Sequence, residues 1–290
     1  MREPPVPHRP GKTEHIHPVA GRRANVLSVA SLSVLALFVL IILSLVAADV
    51  AYLVTGQIRT GAVAKMLADP RAMREIARAI WLSVSSSLLT LVLVMLFAVP
   101  TGYALSRYRF RGHALLEVIV DVPIVLPPTV IGLSLLAVFG LGPGSWLKQS
   151  LHLSLSSMTG IVLCQFLVSV SYCIRAVKAS FDSVDVRLEQ VAMSLGCPPW
   201  KAFWQVTLPL ASGGLVAGGV IAWARAMGVF GALMMLVGTG PRVRVMPTAM
   251  WLELNSGNIV QSLTIAMTAL VMAGAALAVV HWLAPGRKWA

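Results

Sequence analysis

Residue types that could bind phosphate or a metal ion occur together near the beginning of the chain. Positions 11–13 read Gly-Lys-Thr, the residues that end a phosphate-binding loop, and His15 and His17 follow them. A phosphate-binding loop requires another glycine five positions before this stretch, where the chain has Val6. Two histidines in a proline-rich segment are a weak set of metal ligands. The sequence therefore predicts no nucleotide site and no metal site here.

Catalytic groups do not come together elsewhere in the sequence either. No Ser/His/Asp set, no paired carboxylates and no Cys-x-x-Cys pair occurs in a plausible place. The cysteines Cys164, Cys173 and Cys197 provide no disulfide framework and are interpreted as small packing residues. We expect a chain that is not an enzyme by itself and that holds no cofactor.

One charged residue, Arg225, lies well inside a long apolar run. An arginine near the centre of a membrane-spanning helix costs about 2.5 to 3.5 kcal/mol on insertion scales. Ile221 and Val229, one helical turn away on either side, offer no carboxylate. Two interpretations remain open. Arg225 bonds to backbone carbonyls or to a neighbouring span, or it contributes directly to the path of an anion.

Prolines interrupt another apolar run at Pro123, Pro127 and Pro128. Each removes a backbone donor, and irregular backbone at membrane depth is tolerated only where it is buried in protein or faces a water-filled cavity. Either a packing kink or a pathway satisfies this condition. Pro127, Pro128 and Thr129 are therefore candidate pathway residues together with Arg225.

These residues must be positioned by membrane-spanning helices, as the composition indicates. Of the 290 residues, 57% are hydrophobic and 12% are charged, whereas about 25% are charged in an ordinary soluble domain. Apolar runs long enough to cross a bilayer, which takes roughly 20 residues, cover 25–48, 80–105, 115–140, 158–177, 208–237 and 259–284. Since the runs are apolar on all sides, they predict an all-α membrane protein with about six transmembrane helices rather than a barrel.

The regions around these runs define the predicted domain organisation and its orientation. Residues 1–24 form a basic tail without predicted structure, 25–284 the transmembrane domain, and 285–290 a short second tail. Placing both tails in the cytoplasm puts more Lys and Arg on that side, as expected for a cytoplasmic surface. The first run is too long for a cleaved signal core. In the segment 49–79, the pattern that continues to Ile80 and Trp81 predicts a helix leading into the second span.

The net charge of +12 is carried at the ends of the apolar runs. A nucleic-acid-binding protein would instead collect its charges on one continuous basic face. The sequence therefore predicts contact with anionic lipid and no nucleic acid partner.

A polar interruption, residues 182–209, separates the fourth and fifth runs. Its first half predicts a short helix that Ser183 or Asp185 caps and Gly196 ends. The apolar face of that helix is formed by Leu188, Val191, Ala192 and Leu195. Pro198 and Pro199 stop simple continuation, and Pro199 suits the first position of a second short helix at an angle to the first.

The side chains of this interruption predict a surface. Trp200, Phe203 and Trp204 would form an apolar patch, while Arg187, Glu189 and Lys201 would face water or a partner. The residue types alone also fit an interfacial helix pair that rests among lipid headgroups.

The residues of the interruption have a regular spacing. From Gly196, nine residues lead to Val206, which is followed by Thr207, Leu208 and Pro209. This spacing resembles the EAA loop of binding-protein-dependent ABC importer permeases. The family pattern is Glu-Ala-Ala, three residues, Gly, nine residues, Ile, any residue, Leu-Pro; here the triplet is Gln-Val-Ala and Glu189 stands one place earlier. The resemblance implies a type I permease fold and a loop that docks on a separate ATPase. The implied contact residues are Glu189, Gln190, Ala192, Gly196, Pro199, Trp200, Phe203, Leu208 and Pro209.

Three further segments carry a more specific resemblance. They are VPIVLPPTVIGLSLLAVFG (122–140), SVSYCIRAVKASFDSVD (169–185) and WARAMGVFGALMMLVG (223–238). These segments resemble the molybdate, tungstate and sulfate permeases, and most closely the molybdate permease. That family commonly has an acidic residue where this chain has Val229. The resemblance implies import of an oxyanion, with molybdate first and tungstate next; sulfate or thiosulfate, or another ABC importer substrate, is the alternative.

The resemblance also implies partners. They are a cytoplasmic ATPase subunit that binds ATP and Mg²⁺, an extracytoplasmic substrate-binding protein, and a second permease subunit in a prokaryotic inner membrane. A second copy of this chain or a different permease would fill that last place, and Gly214 and Gly218 fit close helix packing. A stand-alone channel or ion-coupled carrier would need intramembrane carboxylates, but Glu117 and Asp121 lie close to the basic turn 107–111. A scaffold without transport would leave the regular loop unexplained.

Overall fold

The computed structural model describes residues 21–61, 64–65, 68–141, 154–240 and 243–283, and these are helices joined by short connections. His15, His17 and the tail 285–290 lie outside the described residues. The helices are α1 (Gly21–Thr60), α2 (Pro70–Arg107), α3 (His113–Val125), α4 (Pro128–Leu136), α5 (Met158–Asp182), α6 (Val186–Ser194), α7 (Pro199–Ala202), α8 (Leu208–Met227), α9 (Gly231–Leu236), α10 (Met246–Asn255) and α11 (Ile259–Leu283). π-helical turns follow α4 at Ala137–Leu141 and α7 at Phe203–Thr207.

The chain divides into two units, residues 1–54 and 55–290. The first unit consists, where described, of most of α1, which is apolar enough to cross a bilayer over Ser31–Thr55. α1 begins at Gly21, so the helix includes residues 21–24 of the predicted tail.

Within the described residues, five helices are long and apolar enough to cross a membrane, or six if one bent pair counts as a span. The prediction of about six helices is therefore confirmed. The second span is longer than predicted, since α2 runs without interruption from Pro70 to Arg107. Asp69 caps it by accepting a hydrogen bond from the Arg71 backbone N–H at 2.8 Å. The predicted helix leading into this span is thus part of the same helix.

The third apolar run is not one straight helix. α3 and α4 meet at an angle of 104° across Leu126 and Pro127. Pro127 and Pro128 supply no backbone donors, and Pro128 takes the first position of α4, where none is needed. The prolines disrupt the helix as predicted, and the count of six spans takes this bent pair as one broken span.

The fifth run is also broken, because α8 ends at Met227 and α9 begins at Gly231. The short helix α9 packs directly on α4. A Cβ at Gly231 would lie 2.6 Å from Thr129 Cγ2, and a Cβ at Gly132 would lie 2.7 Å from Ala232 Cα. The two breaks therefore meet in space, and the small residues allow the two backbones to approach.

A set of buried polar side chains joins α2 and α5. Gln165 donates to Ser86 Oγ at 3.1 Å and accepts from Thr90 Oγ1 at 2.9 Å. At the same face of α2, Ser83 Oγ accepts the Met246 backbone N–H of α10 at 2.7 Å. Each polar group is satisfied by another helix, as burial in an apolar medium requires.

Candidate functional site

The polar interruption begins with α6, whose ends have clear local causes. Asp185 accepts the Arg187 backbone N–H at 2.9 Å, so Asp185 rather than Ser183 caps the helix. Gly196 has φ +90°, a left-handed conformation that glycine adopts without steric cost. The Cys197 backbone N–H bonds to the Ala192 carbonyl at 3.1 Å and completes the turn. The predicted start and end of this helix are confirmed.

The second half of the interruption is not a separate helix. Pro199 starts α7 as predicted, but α7 continues through the π turn into α8 and forms one apolar helix over Pro199–Met227. Pro209 has no N–H, and its ring would clash with a carbonyl four residues earlier. The wide turn accommodates this, with the Leu208 backbone N–H reaching the Phe203 carbonyl. Leu208 and Pro209, which end the loop pattern, therefore lie at the N-terminal end of α8, the helix that forms the fifth span.

The exposed surface of the loop is largely apolar. Leu195 is 83% exposed and Trp200 is 62% exposed, and Leu188, Val191 and Trp204 are exposed as well. Of the other predicted contact residues, Gln190, Pro199 and Pro209 are exposed, and Ala192 and Leu208 are half-buried.

Two predictions for side chains in this loop are wrong. Phe203 points inward, with its ring centroid 4.8 Å from that of Tyr103 and 6.1 Å from that of Phe181. Glu189 does not face water or a partner, because its side chain is 8% exposed and Arg107 Nε donates to it at 2.9 Å. Arg107 has no sequence signal that pairs it with Glu189, since 82 residues separate the two.

A groove of about 630 Å³ runs along the side of the bundle between α3, α5 and α8. Ion pairs line it. The Arg175 guanidinium donates two hydrogen bonds to the Asp121 carboxylate, at 2.8 and 2.7 Å. Lys178 contacts Asp182 at 2.9 Å and Glu117 at 3.3 Å. Sequence reasoning assigned no role to this set, because its members come from different helices.

Arg225 lies beside this groove, over Tyr172, one of the residues that line it. The Arg225 guanidinium carbon is 4.2 Å from the Tyr172 ring centroid, and the side chain donates to the Tyr172 hydroxyl. Arg225 occupies the last turn of α8 rather than the centre of a span, so the helix dipole favours its charge there. A bond to a neighbouring span is thus present, as one interpretation expected. None of the ion pairs among the described residues includes Arg225.

The other predicted pathway residues lie at the break between α3 and α4, where Pro127, Pro128 and Thr129 are exposed. Val229 lies at the matching break after α8 but is only 3% exposed and packs in an apolar cluster with Ile131. An acidic residue at this place would be buried among apolar side chains, which this chain avoids.

A family model described as "Binding-protein-dependent transport system inner membrane component" matches residues 96–288. The chain is 34% identical over 215 residues to the molybdenum transport system permease protein ModB of Escherichia coli K12, which covers 70% of this chain and 93% of that protein. It is 35% identical over 172 residues to the molybdate/tungstate transport system permease protein WtpB of Thermococcus kodakarensis, covering 59% of this chain and 64% of that protein's length.

A solved structure shares the fold. A chain of a bacterial alginate ABC transporter, crystallised in complex with its alginate pentasaccharide-bound periplasmic protein, superimposes with a TM-score of 0.69 at 17% identity. The match covers 90% of this chain and 93% of that one. Since the family match covers about two thirds of the sequence and the type I permease fold is shared, this chain belongs to the family of inner membrane components of binding-protein-dependent transport systems.

Proposed function

We propose that this chain is the membrane subunit of an ATP-driven importer of a divalent oxyanion, with molybdate as the first substrate and tungstate as the next. The observation that carries the substrate assignment is the identity to the E. coli molybdenum permease over 93% of that protein's length. The guanidinium of Arg225, which stacks on Tyr172 beside the groove and has no carboxylate partner among the described residues, agrees with it, since a cationic group lowers the barrier for an anion in a low-dielectric path. Val229 is then a tolerated difference within the family.

The partners in this proposal are a cytoplasmic ATPase dimer that binds ATP and Mg²⁺, an external substrate-binding protein, and a second copy of this chain. An exposed apolar surface on a short capped helix supports docking to the ATPase, since Leu195 and Trp200 would lose their contact with water there. The loop would face the cytoplasm, and both termini would lie on the same side. The basic residues at the span ends would anchor the chain against anionic lipid.

ATP-driven closing of the partner would displace the docked loop. Because α7 continues into α8 without a break, movement of Trp200 is transmitted directly along the helix that ends beside Arg225. Two packings of the same helices then alternate, and the difference in affinity of the ATP-loaded partner for the two packings drives the change.

The anion path in this proposal passes Arg225 and the groove that Tyr172 helps to line. A dianion that reaches Arg175 competes with Asp121 for the same guanidinium. The Arg175 side chain is 64% exposed, so solvent screens its attraction for Asp121. Separating the pair therefore requires little free energy. Arg225, which has no carboxylate partner in the described part of the chain, followed by Arg175, which has one, would attract the anion without trapping it, as conduction requires.

Uptake of labelled molybdate into proteoliposomes tests the function. The vesicles contain this chain, its ATPase and its binding protein, with tungstate and sulfate as competitors. We expect uptake that requires ATP and is blocked by tungstate but hardly by sulfate. Strong competition by sulfate would move the substrate assignment to the sulfate branch. Uptake without ATP would contradict the importer assignment and indicate a channel or carrier.

Substitution of Gly196 by proline tests the loop. Proline fixes φ near about −65° and cannot adopt the +90° of Gly196, so the end of α6 must rearrange. We expect the chain to insert normally while substrate-stimulated ATP hydrolysis is lost. Gly196→Ala is the matched control, since it strains the same turn by only about 1 to 2 kcal/mol. Normal stimulation in Gly196→Pro would contradict a coupling role for the loop.

Substitution of Arg225 by alanine tests the path. We expect slower uptake with normal assembly, and partial recovery in Arg225→Lys, which restores the charge without the planar group that stacks on Tyr172. Unchanged uptake in the alanine variant would assign Arg225 a packing role only.

A further inference from the structure

We infer that the buried pair Arg107–Glu189 is the mechanical link that makes the docking helix α6 move together with the second and fifth spans. Arg107 is then a positioning residue of the importer, and Glu189 acts inside the permease rather than on the ATPase. The inference rests on the proposed function, because it concerns how a displacement of α6 reaches the spans. It is carried by four hydrogen bonds, by burial and by the elements that meet there.

The Glu189 carboxylate is satisfied by three donors from two different spans. Its Oε1 accepts Arg107 Nε at 2.9 Å and Thr207 Oγ1 at 2.7 Å, and its Oε2 accepts the Tyr103 hydroxyl at 3.0 Å. Arg107 and Tyr103 belong to the end of α2, whereas Thr207 belongs to the π turn at the root of α8. One carboxylate of α6 thus holds both spans at once.

Arg107 holds the docking helix at a second point. Its terminal nitrogen donates to the Val184 carbonyl at 3.0 Å, just before α6 begins. With its Nε on Glu189, the planar guanidinium contacts both the start of α6 and its first turn. Two contacts from one rigid group define the orientation of the helix, which a single contact would not.

A cluster of three aromatic rings packs beside this polar set. The rings of Tyr103, Phe181 and Phe203 come from α2, α5 and the π turn, and their centroids are 4.8 to 6.1 Å apart. Phe181 and Thr207 are fully buried. The polar set around Glu189 and these three rings together are called the joint below. The joint is buried and close-packed, and such interiors transmit displacement because they are not readily compressed.

Burial explains why the pair determines position more than stability. The side chains of Arg107 and Glu189 are 6% and 8% exposed, so the cost of desolvating both charges offsets much of their attraction. A misplaced partner, however, would leave a buried charge unpaired, which is strongly unfavourable. The set therefore tolerates one relative arrangement of α6, α2 and α8, whereas the turn at Gly196 alone would leave α6 free to tilt.

The test uses the complete transporter and the matched substitution Glu189→Gln, which keeps the size of the side chain and removes its charge. Spin labels replace Ser194 on α6 and Arg109 after α2, both exposed and outside the proposed docking contacts, in a background in which Cys197 is replaced by serine. The control is Glu253→Gln, the same chemical change at a half-buried carboxylate on α10 that accepts Asn258 Nδ2 at 2.9 Å and takes no part in the Arg107–Glu189 set. The readouts are the distance distribution between the labels, ATPase binding, and molybdate transported per ATP hydrolysed.

We expect one narrow label distance in the wild type, with and without ATP. In Glu189→Gln the distribution should broaden, and transport per ATP should fall about tenfold, a typical size for coupling between sites, while ATPase binding is retained. Loss of stability alone would reduce transport and hydrolysis together and leave their ratio unchanged. Tyr103→Phe, which removes only one donor, should change the ratio in the same direction by less.

A normal transport ratio and an unchanged label distance in Glu189→Gln and Tyr103→Phe would overturn the link and leave the proposed function intact. If the wild-type transporter carries no oxyanion, the proposed function fails instead. The label distance measured in the permease alone then still decides the link. A narrow distribution in the wild type that broadens in the variants supports it, and identical distributions overturn it.

Discussion

Among the described residues, two arginine–carboxylate pairs connect neighbouring helices, and their surroundings differ. Arg107 and Glu189 lie in the buried joint, where two further donors complete the carboxylate. Arg175 and Asp121 form a bidentate pair of similar length, but the Arg175 side chain is 64% exposed in an open groove. The exposed pair has two hydrogen bonds and the buried pair one, so burial rather than pair geometry decides their roles. The buried pair determines an arrangement of helices, whereas the exposed pair can open and exchange partners.

The largest effect on stability is expected for Glu189→Ala. Removing one partner leaves the Arg107 guanidinium buried without a counter-charge, which costs about 3 to 5 kcal/mol. The midpoint of thermal unfolding in detergent, followed by tryptophan fluorescence, should fall clearly. Asp121→Ala serves as the reference for the exposed pair and should shift the midpoint far less. Equal shifts for the two variants would remove the distinction between the pairs.

A smaller loss is expected for Thr207→Val, which keeps the shape of the side chain and removes its hydroxyl. Glu189 then loses one of three donors, and a hydrogen bond to a charged group contributes about 1.5 to 3 kcal/mol. The same unfolding measurement should place this variant between wild type and Glu189→Ala. A shift as small as that of Asp121→Ala would show that Arg107 and Tyr103 suffice to satisfy the carboxylate.

The smallest effect on stability is expected for Asp121→Asn, since solvent already screens the exposed pair. Any difference from wild type should disappear in about 1 M salt, where the Debye length falls to about 3 Å. The effect of Glu189→Ala should persist in the same buffer because salt does not enter the buried joint. A salt-independent loss in Asp121→Asn would contradict an open groove around Arg175.

For the helix breaks, the sequence predicted the position of one break but not its geometry or its contact with the other break. Pro127 and Pro128 are recognisable as breakers, because a residue without an N–H disrupts any helix in which it is internal. The angle between α3 and α4, and the contact of that break with the one before α9, depend on how closely Gly132 and Gly231 let the backbones approach. No local pattern carries that information. The helix α10 was missed because ten residues are too short for a span.

The candidate site divides in the same way. The cap at Asp185 and the left-handed Gly196 follow from local chemistry, and both were predicted or left as one of two options. The inward direction of Glu189 was predicted wrongly. Nearby charged residues Arg187 and Lys201 favour a solvated position for Glu189, and its partner Arg107 lies far away in the sequence.

By itself, the sequence determined that this is a helical membrane protein with about six spans and a loop whose spacing matches ABC importer permeases. Composition, proline positions and capping residues suffice for this, because each acts within one or two helical turns. Only the tertiary structure decided which charges are buried, which are open, and that one carboxylate holds two spans. Burial depends on what packs from distant parts of the chain, and in a low-dielectric interior it changes what the same pair of residues does.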